Sequence, residues 1–468
     1  MNKIPKFLNI RESKRLFSQI VKKYNVKEIA VVKNPEYIFP PFDFYPLIPK
    51  IKGNLPELKG VVKDMDGTTT TTEPLCIHSL EYMIRKITGR MRPEVWSGLD
   101  RKKDYPHIIG NSTTRHIEYL INEYSDAIDI EVFKRAFLLS AIWTLAIGRD
   151  EGRKREVNAT LSTLGLEEMK ADPIFVGEIS KGTFNLNKAT LTVISLYEKY
   201  NRAIDLSSFN NKVRAAIDVY YARYHEILMA IDRGEGEKLS SELLGVGGRR
   251  LIEPMPGVGC FLALIKGWLG EDASAFLGQL KEHVKNNAKK KASTTQLNRA
   301  KKILPRLGKF FEQKPAKVAV VTSSIAYEAG IVLSEVFSIL AKQVEDWDIP
   351  REKRDFISRK FSSPKNVYDA IITASDSSEI RLKPHRDLYS IALNQLGITP
   401  LEFKLVAGFE DSESGTIAIR SAGIGLCVAV PFADTADHNL SASVHILKGG
   451  LPETILLHFC FINPRLLV

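Results

Sequence analysis

Hydrophobic and polar positions follow two regimes along this chain. Short apolar, β-rich runs ending in polar or glycine-containing turns occur at "GVVKD" (60–64), "VAVVTSS" (318–324), "YDAIITASD" (368–376) and "KLVAGFEDSESG" (404–415). Each is followed, directly or after a loop, by a helical pattern. This alternation predicts an α/β domain with a parallel sheet. In such sheets ligands bind beyond the carboxyl ends of the strands. Asp64, Thr322, Glu410 and Asp411 all fall at such ends.

From residue 73 to about 250 the period changes. "HSLEYMIRKITG", "TTRHIEYLINEY", "IEVFKRAFLLSAIWTLAIG", "KATLTVISLYEKY" and "NKVRAAIDVYYARYHEILMAI" carry apolar residues at helical spacing, with no strand-rich stretch between them. The expected organisation is therefore an α/β core, residues 55–72 and 253–468, with a helical domain, 73–252, inserted after its first strand. "EPMPGVGCFLALIKGWL" (253–269) reads as the return to the core. Two segments read as additions to it: 270–307, basic in its later part, and 343–365, charged and interrupted by prolines. Residues 1–54 form an N-terminal extension with one helix (11–24), one strand (28–33) and a proline-rich connection.

The composition narrows the partners only slightly. Of 468 residues, 44 % are hydrophobic and 26 % charged, as in ordinary globular proteins, and the net charge is +11. That charge suits an anionic small molecule, a nucleic acid or an acidic partner. Cys76, Cys260, Cys427 and Cys460 are scattered without metal-binding spacing and read as reduced thiols of a cytoplasmic protein. No run reaches the ~18 apolar residues of a membrane span, so no membrane partner is expected.

The chemistry gathers at the strand ends. Asp64 and Asp66 flank one residue where an apolar run meets a glycine. Carboxylates this close repel unless a cation, or a reaction using both, compensates. Gly67 lets the backbone fold tightly over a small anion. Glu410 and Asp411 add carboxylates for a hard divalent cation such as Mg²⁺. Thr322 and Ser323 add hydroxyl and amide donors, and Lys383 a positive charge. Together these make a site for phosphoryl transfer, with nucleophile, acid/base, metal ligands and charge clamp.

Four stretches carry a family resemblance. "DMDGT", "VAVVTSS", "LKPHRDLYSIALNQLGI" and "GFEDSESGTIAIRSAGIGLCVAV" resemble, in order, the four motifs of the haloacid dehalogenase (HAD) superfamily, in its phosphoglycolate phosphatase and β-phosphoglucomutase branch. "TTTEPL" and "PMPGV" are similar to the exit to, and re-entry from, that branch's cap. The resemblance implies a Rossmann-like HAD core with an inserted α-helical cap, and a Mg²⁺-dependent phosphatase acting on a small phosphorylated metabolite through an aspartyl-phosphate. Asp64 would be the nucleophile and Asp66 the acid/base. Thr322 and Lys383 would hold the phosphoryl group. Asp411, assisted by Glu410, would hold the metal beside the two motif aspartates. One position departs from the family: Lys63 stands where an apolar residue is usual, and is expected to face solvent or a loop.

The cap stretch "HIIGNSTTRHIEYL" (107–120) offers Gly110, Asn111, Ser112 and Arg115 as substrate contacts, against the plainer reading of a helix cap. A phosphomutase is the first alternative. Thr113 disfavours it, since that class is similar in its core but carries an arginine at the matching place. Dehalogenases lack the second aspartate, and a phosphonatase would need a cap lysine near His107. An interaction protein with a vestigial core, binding nucleic acid through the basic run 285–306, is a further alternative. That run otherwise reads as a solvated face or loop, dispensable for turnover, and "LGVGGRR" (244–250) as a connector.

Overall fold

The computed structural model describes residues 8–34, 39–109, 112–186, 191–245, 250–288, 292–376, 379, 381–431 and 438–467. The chain divides into two compact units. One comprises residues 1–71, 254–329 and 336–468, the other 72–253 and 330–335.

The first unit is built on a six-stranded, all-parallel sheet. We number its strands after those of an N-terminal hairpin, β1 (Glu28–Lys33) and β2 (Phe42–Leu47). They are β3 (Gly60–Asp64), β4 (Lys317–Val321), β5 (Ala370–Ile372), β6 (Val406–Glu410), β7 (Leu426–Ala429) and β8 (His445–Ile446). Their spatial order is β8-β7-β6-β3-β4-β5. The first four core strands match the apolar runs in the sequence. Strand β7 lies inside the fourth motif, and β8 is too short to show a pattern.

β3 is central, paired with β4 (Asp64 opposite Val321) and with β6 (Lys63 opposite Phe409). Parallel pairing puts all carboxyl ends on one edge, so Asp64, Thr322 and Glu410 converge there although they lie far apart in sequence. One sheet face, with Val62, Val321 and Ile372, packs on Leu388, Tyr389 and Ile419 of the helices Asp387–Gln395 and Glu413–Ser421. Across the sheet, Phe261 meets Phe409 edge-to-face at 5.2 Å. The helix Val258–Ile265, which carries Phe261, is buried on every side, as its unbroken apolar sequence requires.

The second unit is helical, with no strand among its described residues between 73 and 250. The helix Phe209–Asp232 packs against Glu73–Thr88, Thr113–Glu123 and Ile130–Ile147, and residues such as Phe133, Phe137, Trp143, Leu161 and Val219 form a single core.

Two expectations about the first unit change. The proline-rich connection contains a strand, β2, paired antiparallel with β1. The alternation in "FDFYPL" outweighs Pro46, because a two-stranded ribbon leaves places where a missing N–H breaks no ladder bond. The basic segment is also more than a loop. Its helix Thr294–Gln313 buries Ala300, Leu304, Leu307 and Phe311, while Arg299, Lys301, Lys302 and Arg306 stay exposed. The solvated face is there, but it is the outer side of a helix built into the unit. Lys289–Lys291 and most of "LGVGGRR" lie outside the described residues.

Candidate active site

The turn after β3 is closed by its own backbone. The amides of Thr69 and Thr70 donate to the Met65 carbonyl at 2.8 and 2.9 Å, and Gly67 N donates to the Thr70 carbonyl at 2.8 Å. The Thr69 hydroxyl donates to the Asp64 carbonyl at 2.5 Å. Gly67 has φ +81°, and a Cβ there would lie 2.2 Å from Asp411 Oδ2. Only glycine permits both the turn and this approach.

Asp64 is buried, and one of its oxygens, Oδ1, accepts from the Lys383 ammonium. Lys383 Nζ also donates to Glu410 Oε1 at 2.7 Å, where Tyr389 adds a hydroxyl at 3.2 Å. Glu410 Oε2 accepts from the Asp411 amide, the Ser412 amide and the Ser412 hydroxyl, each at 2.9 Å. A Cβ on Gly415 would stand 1.7 Å from Glu410, so the start of the helix Glu413–Ser421 approaches only because that residue has no side chain. Glu410 is thus held on both oxygens by protein donors, as an orienting group is.

Ligand oxygens of Asp64, Glu410 and Asp411 lie within 4.8 Å of one another. Three carboxylates face one ammonium. Burial pushes the Asp64 carboxyl well above its usual pKa; Lys383 opposes the shift, and Glu410 and Asp66 add to it. For Lys383 burial disfavours the charge, but Asp64 and Glu410 outweigh it and hold the ammonium above its usual range. For Glu410 burial is likewise outweighed, by Lys383 and the Ser412 donors, and its pKa is lowered. Asp64 Oδ2 is buried and finds no hydrogen-bond partner among the described residues. A hard divalent cation fits this place: the donors are all oxygen, the charge excess is negative, and one buried oxygen awaits a positive group.

Asp66 has different surroundings. It is half-buried, and its Oδ2 accepts from the Thr322 hydroxyl at 3.2 Å and the Ser324 hydroxyl at 3.4 Å. Its carboxylate is not part of the acidic triad. The Ser324 amide in turn donates to Thr322 Oγ1 at 3.0 Å. Ser323 is exposed, and its neighbour Ser324 makes the contact to Asp66. Sequence reading passed over Ser324, Tyr389 and Ser412. The doubled serine of "VTSS" signals the first and the nearness of Ser412 to Glu410 in "FEDSES" the last, whereas nothing local marks Tyr389.

Lys63 overturns its expectation. It is fully buried, its Nζ lies 5.6 Å from the Phe261 ring centroid, and Nζ has no hydrogen-bond partner among the described residues. Alternation turns it away from Asp64, as expected. Because β3 is central and covered on both faces, that direction leads into the second layer and not to water. Ser112 and Arg115 are exposed at the start of the helix Thr113–Glu123 in the helical unit. Gly110 and Asn111 lie outside the described residues.

No family model matches the chain. A Bacillus subtilis (strain 168) protein named "Putative phosphatase YhcW" is 42 % identical over 64 residues, 14 % of this chain and 26 % of that relative, so the match spans about a quarter of the relative's length. Among solved structures, phosphate-bound CbbY from Rhodobacter sphaeroides is 12 % identical, with 85 % of this chain and 96 % of that one covered and a TM-score of 0.35. A HAD family hydrolase from Deinococcus radiodurans R1, with bound phosphate and sodium, is 12 % identical, with 87 % and 99 % covered and a TM-score of 0.37. A β-phosphoglucomutase from Clostridium difficile is 13 % identical, with 83 % and 90 % covered and a TM-score of 0.32. At TM-scores this low the likeness adds no detail to the site.

Proposed function

We propose that this chain is a Mg²⁺-dependent phosphatase of the HAD superfamily, hydrolysing a small phosphorylated metabolite. One observation carries the reading: two aspartates of a single tight turn have unlike surroundings. Asp64 is buried against an ammonium and two further carboxylates, whereas Asp66 is half-buried against two hydroxyls. Environments that differ in this way separate two carboxyl groups into two roles.

In the proposed reaction Asp64 attacks phosphorus. The bond from phosphorus to the leaving oxygen breaks, and Asp66 donates a proton to that oxygen. Asp66, now ionised, takes a proton from water as the water attacks the aspartyl-phosphate. The Asp64–phosphorus bond breaks and inorganic phosphate leaves. Lys383 and Thr322 hold the phosphoryl oxygens, and Glu410 keeps Lys383 in place. Asp64 and Asp411 supply carboxylate oxygens to Mg²⁺, which when bound offsets the negative charge of carboxylates and phosphate together. The +11 net charge favours the approach of an anionic substrate. A cytoplasmic location accords with four free cysteines, and no described helix is long and apolar enough to cross a membrane.

The test separates the aspartates. Asp64→Asn should abolish turnover of every phosphate ester. Asp66→Asn should lower turnover of an alkyl phosphate by roughly 10²–10⁴. With an aryl phosphate, whose leaving group needs less protonation, the same variant should accumulate hydroxylamine-sensitive phosphate on the peptide containing Asp64. Identical, complete loss in both variants, with folding and Mg²⁺ binding intact and no trapped phosphate, would refute the division of roles. Conversion of one sugar phosphate isomer into another, without release of phosphate, would favour the phosphomutase.

A further inference from the structure

The N-terminal segment carries exposed apolar faces that the catalytic reading does not use. The helix α1 (Ile10–Lys23) has no buried residue, although it is strongly two-sided. At about 100° per residue, Leu16, Phe17, Ile20, Val21 and Tyr24 gather on one side, while Arg11, Lys14, Arg15 and Lys22 lie along its flank and opposite side. Phe17 and Ile20 are exposed, and Ile10, at the helix start, is 75 % exposed.

The β1–β2 hairpin repeats the motif independently. Its inner face, with Ala30, Val32, Tyr45 and Leu47, packs on Ile417 and Ala442. Its outer face pairs Val31 with Phe44 and Ile29 with Pro46 across the strands. Val31, Phe44 and Ile29 are exposed, as is Phe39 before β2, at 92 %. An apolar face on each of two adjoining elements is more than scattered surface hydrophobes provide.

We propose that residues 10–34 and 39–47 dock this protein on an anionic lipid surface, with the apolar side of α1 and the outer aromatic face of the hairpin entering the headgroup boundary. Charge selects this occupant. Arg11, Lys14, Arg15, Lys22 and Lys23 stand against the lone acid Glu12 within the helix, whereas beyond it Lys27 and Lys33 are matched in number by Glu28 and Asp43, so the positive excess belongs to the helix. A second copy would bring like charges together at the same face, which opposes association. An anionic bilayer offers both the apolar phase and the counter-charge. A helix lying in the interface needs no membrane span, so the expectation of no membrane partner, drawn from the absence of a span, does not extend to it.

The experiment uses the full chain and sedimentation with vesicles of phosphatidylcholine alone or mixed with phosphatidylserine. Binding should be at least about tenfold stronger to the mixed vesicles and should fall steeply with added salt. Phe17→Glu with Ile20→Glu, Lys14→Glu with Arg15→Glu, and Phe44→Glu should each lower binding by about tenfold or more. Aryl phosphate turnover in solution, where present, should be unchanged. A wild-type chain that stays in the supernatant with anionic vesicles at low salt overturns the proposal. So does binding that is indifferent to phosphatidylserine. A concentration-dependent dimer in solution, dispersed by the Phe17/Ile20 variant, would instead assign the face to a second copy.

Discussion

Lys63 Nζ stands 5.6 Å from the centroid of the Phe261 ring, inside the layer behind strand β3 and next to Asp64 in sequence. Burial brings its pKa down to about 7 from an ordinary 10.5, with the Asp64 charge opposing the shift. The unfolded chain therefore binds this proton more readily than the folded one. The resulting destabilisation is complete below about pH 7 and fades as pH rises towards 10.5. Lys63→Met should stabilise the protein by about 2–5 kcal/mol at pH 6 and progressively less towards pH 10. Denaturant titrations at several pH values check this. A gain that does not change with pH would show that packing, not charge, is responsible.

Lys383 neutralises two buried carboxylates at once. Lys383→Met leaves both without their cation and should lower stability in the absence of metal by about 3–5 kcal/mol. The loss should shrink as pH falls, because Asp64 has a raised pKa and becomes neutral by protonation. Mg²⁺ should recover part of the lost stability but little of the turnover, which should fall by roughly 10²–10³. Thermal unfolding with and without MgCl₂, beside an aryl phosphate assay, measures both. Equal melting temperatures for wild type and variant without metal would remove Lys383 from this role.

Gly67→Ala meets two obstacles. A residue with a side chain at φ +81° carries strain of about 1–3 kcal/mol. Its Cβ would also collide with Asp411 Oδ2 at 2.2 Å. The Asp411 carboxylate must move, so Mg²⁺ affinity should drop by about 10–100-fold. Calorimetric Mg²⁺ titration of the folded variant tests this, and an unchanged affinity would place the metal away from Asp411.

Arg420 ties the N-terminal segment to the sheet. Fully buried, it donates to the carbonyls of Ile48 at 2.7 Å and Ala442 at 2.6 Å, and to Glu28 at 2.7 Å. Arg420→Met removes the donor to the Ile48 and Ala442 carbonyls, while Glu28 keeps Lys50 as a partner, and should cost about 2–4 kcal/mol. Protease should then cut near residues 28–47 before the rest of the chain unfolds. Unaltered cleavage and an unaltered denaturation midpoint would mean that the apolar contacts of the hairpin suffice.

The alternation of apolar runs and helical stretches was enough to establish a parallel α/β core and a long helical segment within the chain, because burial on a sheet or helix face imposes its period locally. The candidate positions Asp64, Asp66, Thr322, Glu410 and Asp411 were legible for a similar reason, since each sits where a patterned run stops at a polar turn, whereas Lys383, eleven positions past the end of β5, was offered only by its charge and the stretch around it. What tertiary structure alone decided depends on which strand becomes central and what covers it. Lys63 looked like a residue for water or a loop until β3 proved to be sandwiched between two layers. The proline-rich stretch became a strand only because β1 lay alongside to pair with it. Tyr389 joined the site because its helix meets Glu410 in space, with no trace in local spacing, whereas Ser412, two residues after Glu410, reaches it within the same turn. Asp64 and Asp66, with one residue between them, came to differ because the surrounding fold buries one against Lys383 and leaves the other half-open beside Thr322 and Ser324.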